Sequence, residues 1–102
     1  MRAYRPIISP QVAERIRQLP PDLKRGVREA IRAIGLDPGC GEPLKRELQD
    51  YLKYRVRRFR IVYRVDRASK MVAIVAVGHR RAIYEEVAAA IRPRSRREPQ
   101  RR

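Results

Sequence analysis

Basic side chains are concentrated in residues 53–65, where charged and apolar residues alternate through most of the segment. A β-strand points successive side chains to opposite faces, so with a tight turn near Arg58 this segment predicts a two-faced hairpin. The apolar face would hold Leu52, Tyr54, Val56, Phe59, Ile61, Tyr63 and Val65, and the opposite face Lys53, Arg55, Arg57, Arg60, Val62 and Arg64. Like charges on adjacent strands repel, so the cationic face indicates a polyanionic ligand.

A second group of polar residues, Gly-His-Arg-Arg-Ala-Ile-Tyr, occupies residues 78–84 and follows an apolar, strand-like segment. Strand ends often carry catalytic groups, because a rigid element holds them beside a cleft. If the apolar strand lies beside the hairpin, Arg80 and Tyr84 can converge on Arg60. The residues expected to attract a nucleic-acid backbone more generally are Arg57, Arg58, Arg64 and Arg81, with His79 at the periphery.

The residue types exclude several other kinds of site. One His and one Cys cannot form the usual zinc site, and no glycine-rich phosphate loop is present. The acids are scattered, whereas metal-dependent phosphodiester cleavage needs clustered carboxylates. The chemistry that these residue types still allow is metal-free cleavage of RNA. In such a reaction a base takes the 2′-OH proton, cations stabilise the charge at phosphorus, and an acid protonates the 5′-oxygen. DNA has no 2′-OH for this route. We expect no metal and no cofactor.

The charge and length of the chain fit one small nucleic-acid-binding domain. Its 102 residues include 26 Lys and Arg against 11 Asp and Glu, a formal charge of +15. Such a charge favours nucleic acid, an acidic protein or an anionic membrane surface. No apolar run approaches the roughly 20 residues that cross a bilayer. Cys40 is the only cysteine, which weakly favours the cytoplasm, and no secretory signal is evident.

The elements that must position these residues follow in the order strand, helix, helix, three strands, helix. Residues 4–9 predict an edge strand, and two helices follow around the Pro20-Pro21 link. Residues 37–43 read as a loop, residues 71–78 as a central strand, and residues 83–91 as a short helix. We therefore predict an α+β fold with an antiparallel sheet, a domain at 1–92 and a disordered Arg-rich tail at 93–102.

Several motifs between residues 43 and 84 resemble the RelE/ParE superfamily of toxins from type II toxin–antitoxin pairs. They are Pro-Leu at 43–44, the basic strand, Phe-Arg-Ile-Val-Tyr-Arg-Val at 59–65, and Val-Gly-His-Arg at 77–80 with Tyr84. The order of elements agrees as well. We place the chain in the RelE-like branch, whose members are ribosome-dependent endoribonucleases that cut mRNA in the A site.

The resemblance implies a catalytic set and a set of partners. The catalytic residues would be Lys53 and Arg55 on the first strand, Arg60 on the next, Arg80 and Tyr84. The products would be a 2′,3′-cyclic phosphate and a 5′-hydroxyl. The expected partners are the ribosome, mRNA and an acidic antitoxin that forms a hetero-oligomer with the toxin, with no membrane involved.

The sequence leaves alternative interpretations of the function open. ParE-like toxins that poison DNA gyrase carry a similar strand, and a basic module can bind RNA without cutting it. In a YoeB-like branch, Glu42 before Pro-Leu-Lys would be the base. Each site residue also has a structural interpretation: Tyr84 as a core tyrosine, and Arg60 and Arg80 as surface partners of Glu85 or Glu86.

Overall fold

The computed structural model describes the backbone of residues 3–97 and the side chains in that range other than those of residues 47 and 92–97. The elements are β1 (Arg5–Ile8), α1 (Pro10–Arg17), α2 (Pro21–Leu36), β2 (Glu42–Pro43), β3 (Tyr51–Val56), β4 (Phe59–Asp66), β5 (Met71–His79) and α3 (Ile83–Arg97). Short 3₁₀ turns at Pro38–Cys40 and Arg46–Leu48 flank β2. The predicted α+β fold is confirmed, with β2 added inside the segment that we expected to be a loop.

The sheet has the strand order β1-β5-β4-β3-β2. Pairs β2–β3, β3–β4 and β4–β5 are antiparallel, whereas β1 runs parallel to β5. The sheet is therefore mixed, which corrects the expectation of a wholly antiparallel one. β5, apolar on both faces, lies inside the sheet between β4 and β1 and so has a partner on each side. β1 occupies the edge of β5 that β4 leaves free, and it runs parallel to β5 there.

Local sequence explains where the helices begin. Ser9 caps α1, because its Oγ accepts a hydrogen bond from the Val12 N–H at 3.2 Å, and Pro10 occupies the first turn. Helix α2 begins at Pro21, the second residue of the Pro20-Pro21 link. Helix α3 runs to Arg97, past Pro93, so residues 93–97 are helical where we expected a disordered tail. The rest of that predicted tail lies outside the described residues, and its domain boundary stays a prediction.

Two apolar clusters cover opposite faces of the sheet. The larger one packs α1 and α2 against the sheet through buried residues such as Val27, Ile34, Ile61, Tyr63 and Val77. The smaller one packs α3 and the segment after β2 on the other face, and consists of Leu44, Val62, Ala76, Ile83 and Val87. The cationic face is thus not one continuous surface, because the smaller cluster covers its middle. No helix in the described part of the chain is long and apolar enough to span a bilayer.

Candidate nucleic-acid interface

The turn between β3 and β4 sets the position of the cations. Val56 pairs with Phe59, so Arg57 and Arg58 alone form the connection, and Arg57 adopts a left-handed backbone with φ of 57°. The register then places Arg55 directly opposite Arg60. Directly opposed residues of an antiparallel pair project to the same face, so the two guanidinium groups share one side of the hairpin.

A recess of about 370 Å³ lies beside this pair of arginines. Its lining consists of Cys40, Gly41, Glu42, Lys53, Tyr54, Arg55 and Arg60. Lys53 and Glu42 are themselves directly opposed across β2 and β3. The structure therefore brings three of the five predicted catalytic residues, Lys53, Arg55 and Arg60, to one cavity. It adds Glu42, which the sequence indicated only as the alternative base.

Arg60 is half-buried and held against the turn. Its Nη1 donates to the Phe59 carbonyl at 2.9 Å and to the Arg57 carbonyl at 3.2 Å. A guanidinium has five N–H donors, so these two contacts orient the group while other donors stay free for a ligand. A planar donor fork of this kind matches the oxygens of a phosphate.

Arg80 lies at the same end of the sheet but outside the recess lining. Its backbone N–H donates to the Arg58 carbonyl at 2.7 Å, which extends the β4–β5 ladder by one step. This bond brings Arg80 next to the hairpin turn, where Arg57, Arg58 and Arg81 are also exposed. The backbone of Arg80 therefore lies next to the hairpin, as we expected if the apolar strand pairs with it.

Tyr84 lies at the start of α3, also outside the recess lining. The preceding residue, Ile83, is buried in the smaller cluster, whereas Tyr84 is 48% exposed. A core role for this tyrosine is thereby excluded. Its phenol is accessible to a large substrate, although the structure does not place it in contact with Lys53, Arg55 and Arg60.

His79 and Arg64 are not brought together with the recess. His79 pairs with Phe59 and makes an edge-on ring contact with it at 5.9 Å, on the face that packs against α1 and α2. Arg64 shares the face of Arg60 but lies beyond the buried Val62, with its guanidinium carbon 6.0 Å from the centre of the Tyr51 ring. The roles predicted for these two residues in RNA binding stay predictions.

A buried tyrosine holds the loop that walls the recess. The Tyr63 hydroxyl donates to the Pro38 carbonyl at 2.8 Å and accepts from the Gly41 N–H at 2.9 Å. Burial raises the pKa of this phenol to about 12, against the opposing effect of the Gly41 N–H bond. The sequence indicated Tyr63 only as a core aromatic residue, because no local pattern identifies the hydrogen-bond partners of its hydroxyl.

An ion pair fixes α3 over the end of the sheet. Arg15 Nη2 contacts Glu86 Oε2 at 2.7 Å, and Arg15 Nε donates to the Val77 carbonyl at 3.1 Å. Glu86 also lies against Gly78, where a Cβ would come within 3.2 Å of its Cγ. The alternative interpretation in which Glu86 pairs with Arg60 or Arg80 is therefore wrong, since Glu86 pairs with Arg15. No sequence signal connects residues so far apart along the chain.

The described residues contain no group of three or more His, Cys, Asp or Glu suited to a metal ion. The recess instead offers two guanidinium groups, an ammonium and a carboxylate. Such a set can bind a phosphate, stabilise its developing negative charge and exchange a proton through Glu42.

Comparisons with known proteins agree with this fold. The family model for the ParE toxin of the type II toxin–antitoxin system parDE matches residues 7–84. The chain is 28% identical to a chain of the RelBE2 toxin–antitoxin complex from Mycobacterium tuberculosis, with a TM-score of 0.70 over 78% of this chain and 93% of that one. No curated protein matches significantly.

Two further solved structures share the fold at lower identity. A free E. coli RelE with two arginines replaced by alanine is 22% identical, with a TM-score of 0.72 over 87% of this chain and 98% of that one. A chain of the YoeB–YefM complex from Staphylococcus aureus is 24% identical, with a TM-score of 0.61 over 74% of this chain and 95% of that one. The chain belongs to the ParE toxin family of type II toxin–antitoxin systems, within the RelE/ParE superfamily, and has a RelE-like fold.

Proposed function

We propose that this toxin is a ribosome-dependent endoribonuclease that cuts mRNA without a metal, by attack of the 2′-OH on the adjacent phosphate. The observation that carries the proposal is the directly opposed pair Arg55 and Arg60, which lines one recess together with Lys53. Three cations at one cavity suit a phosphate whose negative charge increases in the transition state. The products are a 2′,3′-cyclic phosphate and a 5′-hydroxyl.

The residues divide into phosphate ligands and proton carriers. Arg60 and Arg55 bind the phosphate from the recess, and Arg80 approaches it from the end of β5. Lys53 protonates the leaving 5′-oxygen. Tyr84 is accessible at the start of α3 and takes the 2′-proton once RNA bridges from the recess to the helix; Glu42, already in the lining, is the alternative base.

Binding partners follow from the same proposal. The structure from M. tuberculosis is a toxin–antitoxin complex, which supports an antitoxin partner here. A chain with a formal charge of +15 calls for an acidic antitoxin, and the two would form a hetero-oligomer. The ribosome and mRNA are the other partners, and the activity belongs to the cytoplasm.

A second function, inhibition of DNA gyrase, is favoured by one observation. The family model that matches residues 7–84 is that of the ParE toxins. On this alternative the protein traps cleaved DNA on gyrase and leaves mRNA intact, and the cations of the hairpin contact gyrase or DNA rather than a scissile RNA phosphate.

One experiment separates the two. Purified toxin is added in parallel to ribosomes translating a defined mRNA and to gyrase acting on supercoiled plasmid. We expect codon-spaced cuts with 5′-hydroxyl ends, which Arg80→Ala reduces about 100-fold or more. The matched control is Arg67→Ala, an exposed arginine in the turn between β4 and β5. Intact mRNA together with trapped, cleaved plasmid would reject the nuclease and support the alternative.

A further inference from the structure

Helix α3 is held at its first turn by a contact that the proposed RNA chemistry does not use. Arg15, on α1, donates from Nη2 to Glu86 Oε2 at 2.7 Å and from Nε to the Val77 carbonyl at 3.1 Å. One guanidinium group therefore joins three elements, α1, β5 and α3. We call these contacts among Arg15, Val77 and Glu86 the α3 clamp.

The α3 clamp is better suited to fixing an orientation than to adding stability. The side chains of Arg15 and Glu86 are 42% and 32% exposed, so solvent screens their attraction. Their geometry is nevertheless specific, because the planar guanidinium makes both bonds at once. Glu86 also lies against β5 at Gly78, where a Cβ would come within 3.2 Å of its Cγ, so the missing side chain permits the close approach.

The apolar contacts of α3 do not fix its rotation in the same way. Ile83 and Val87 are one helical turn apart and are buried against the sheet. Hydrophobic attraction is non-directional, so these two side chains hold the helix down without setting its rotation about its own axis. A charge-assisted hydrogen bond does depend on direction. The α3 clamp therefore sets the rotation of the helix.

The rotation of α3 decides where Tyr84 projects. Successive residues of an α-helix are rotated by about 100°, so Tyr84 and Glu86 project about 200° apart, on nearly opposite sides of the helix. Glu86 faces α1, and Tyr84 is 48% exposed on the other side. Because the phenol lies far from the helix axis, rotation moves its oxygen further than any backbone atom. A misplacement of about 1 Å in a reacting group can lower a rate about 100-fold.

We propose that Arg15 and Glu86 are positioning residues for the cleavage reaction: the α3 clamp fixes the orientation of Tyr84, so that its phenol meets the 2′-OH of RNA bound at the recess. The inference rests on the proposed function, in which Tyr84 takes the 2′-proton. It deepens that function, because the reaction then depends on a residue of α1 that lies outside the recess lining.

The kinetic test compares two adjacent glutamates in the first turn of α3. Glu86→Ala and Glu85→Ala each remove one negative charge there, but only Glu86 belongs to the α3 clamp. In single-turnover cleavage of mRNA on programmed ribosomes, we expect Glu86→Ala to lower the rate at saturating toxin about tenfold and to leave the half-saturating toxin concentration within about twofold. Glu85→Ala should stay within about twofold of the wild type in both quantities. Equal losses for the two variants would overturn the proposal.

Double variants separate positioning from general damage to the fold. In a Tyr84→Phe background the clamp has no hydroxyl left to position, so adding Glu86→Ala should cost less than about twofold. In an Arg60→Gln background the same change should still cost about tenfold, because Arg60 shares no contact with the clamp. An undiminished loss in the Tyr84→Phe background, or a Tyr84→Phe variant as fast as the wild type, would overturn the proposal.

A spectroscopic test observes Tyr84 without any cleavage. The toxin is prepared with fluorotyrosine, and the Tyr84 signal is assigned by its absence from the Tyr84→Phe variant. Arg15→Met should shift or broaden this fluorine signal. Arg17→Met, which breaks the Arg17–Glu14 pair on the same helix, should leave it unchanged. If Arg15→Met lowers the melting temperature but does not alter the Tyr84 signal, the clamp is structural only and the proposal is rejected.

The same measurements distinguish this inference from the proposed function. If wild-type toxin does not cut mRNA, the proposed function fails, while the fluorine spectra still decide whether the α3 clamp orients Tyr84. If mRNA is cut and Arg60→Gln is slow, but Glu86→Ala is as fast as Glu85→Ala, the positioning inference alone fails. Circular dichroism confirms that each variant is folded.

Discussion

Arg55 and Arg60 face each other directly across β3 and β4, so two positive charges share one recess within a well-formed antiparallel ladder. Like charges in directly opposed positions destabilise a strand pair by roughly 0.2–1 kcal/mol. An anion placed between them removes that repulsion. The pair is therefore more stable with a phosphate bound than without one, which is the property that a phosphate-binding site requires.

The hairpin turn places an exposed cation, Arg57, at a position whose backbone conformation favours glycine. Arg57 has φ of 57°, a left-handed conformation that favours glycine. We predict that Arg57→Gly increases the free energy of unfolding by about 0.5–1 kcal/mol in urea titrations. The same change should weaken binding of single-stranded RNA, because one exposed cation beside the recess is lost.

The control for this prediction is Arg58→Gly, the other residue of the turn, whose φ is not positive. It also removes one cation, but without relief of backbone strain it should not stabilise the fold. An equal gain in stability for both variants would show that the loss of one positive charge, rather than the conformation of Arg57, sets the effect.

The Tyr63 hydroxyl should make the stability of the fold depend on alkaline pH. Its pKa is about 12 in the folded chain, above the value near 10 for an exposed phenol. The unfolded chain therefore loses this proton first, so stability is full below pH 10 and falls as the pH rises toward 12. At about 1.4 kcal/mol per unit, the fall amounts to about 2–3 kcal/mol.

Tyr63→Phe provides the comparison. At pH 7 it should lower the free energy of unfolding by about 1–3 kcal/mol, because the Gly41 N–H and the Pro38 carbonyl lose their shared partner. Between pH 10 and 12 the deficit relative to wild type should shrink, since the variant has no such proton to lose. A deficit that stays constant over this range would contradict the assignment.

Close packing, rather than backbone conformation, requires glycine at position 41. Its φ of −86° is accessible to any residue, yet a Cβ there would lie 2.6 Å from the Tyr63 hydroxyl and 2.7 Å from the Lys53 carbonyl. We predict that Gly41→Ala destabilises the protein by about 2 kcal/mol, measured by thermal unfolding. Gly39→Ala is the matched control, because a Cβ there would have ordinary contacts. Equal melting temperatures for the two variants would disprove the packing argument.

Sequence reasoning succeeded where a pattern is local. The alternation in residues 53–65 assigned Arg60, Val62 and Arg64 to one face and Phe59, Ile61 and Tyr63 to the other, as found, because side-chain direction in a strand has a period of two. The apolar run of β5 likewise predicted its position inside the sheet, between two other strands.

It failed where the outcome depends on partners distant in the chain. The parallel pairing of β1 with β5 and the contact between Arg15 and Glu86 join segments that no local pattern connects. His79 is a different case, because the same local alternation that sorted the hairpin already sends it to the face opposite Arg60. Tyr63 was recognised as a core residue, but its hydroxyl partners could not be predicted.

The central claim is that Arg60 binds the scissile phosphate in the recess, and the most direct test compares two arginines of the same strand and face. Arg60→Gln and Arg64→Gln each remove one charge, but only Arg60 lines the recess, whereas Arg64 lies over Tyr51 beyond Val62. In single-turnover cleavage of mRNA on programmed ribosomes, we predict a loss of about 100-fold for Arg60→Gln and of less than about threefold for Arg64→Gln. Equal losses for the two variants would contradict the claim and reduce Arg60 to general electrostatic attraction.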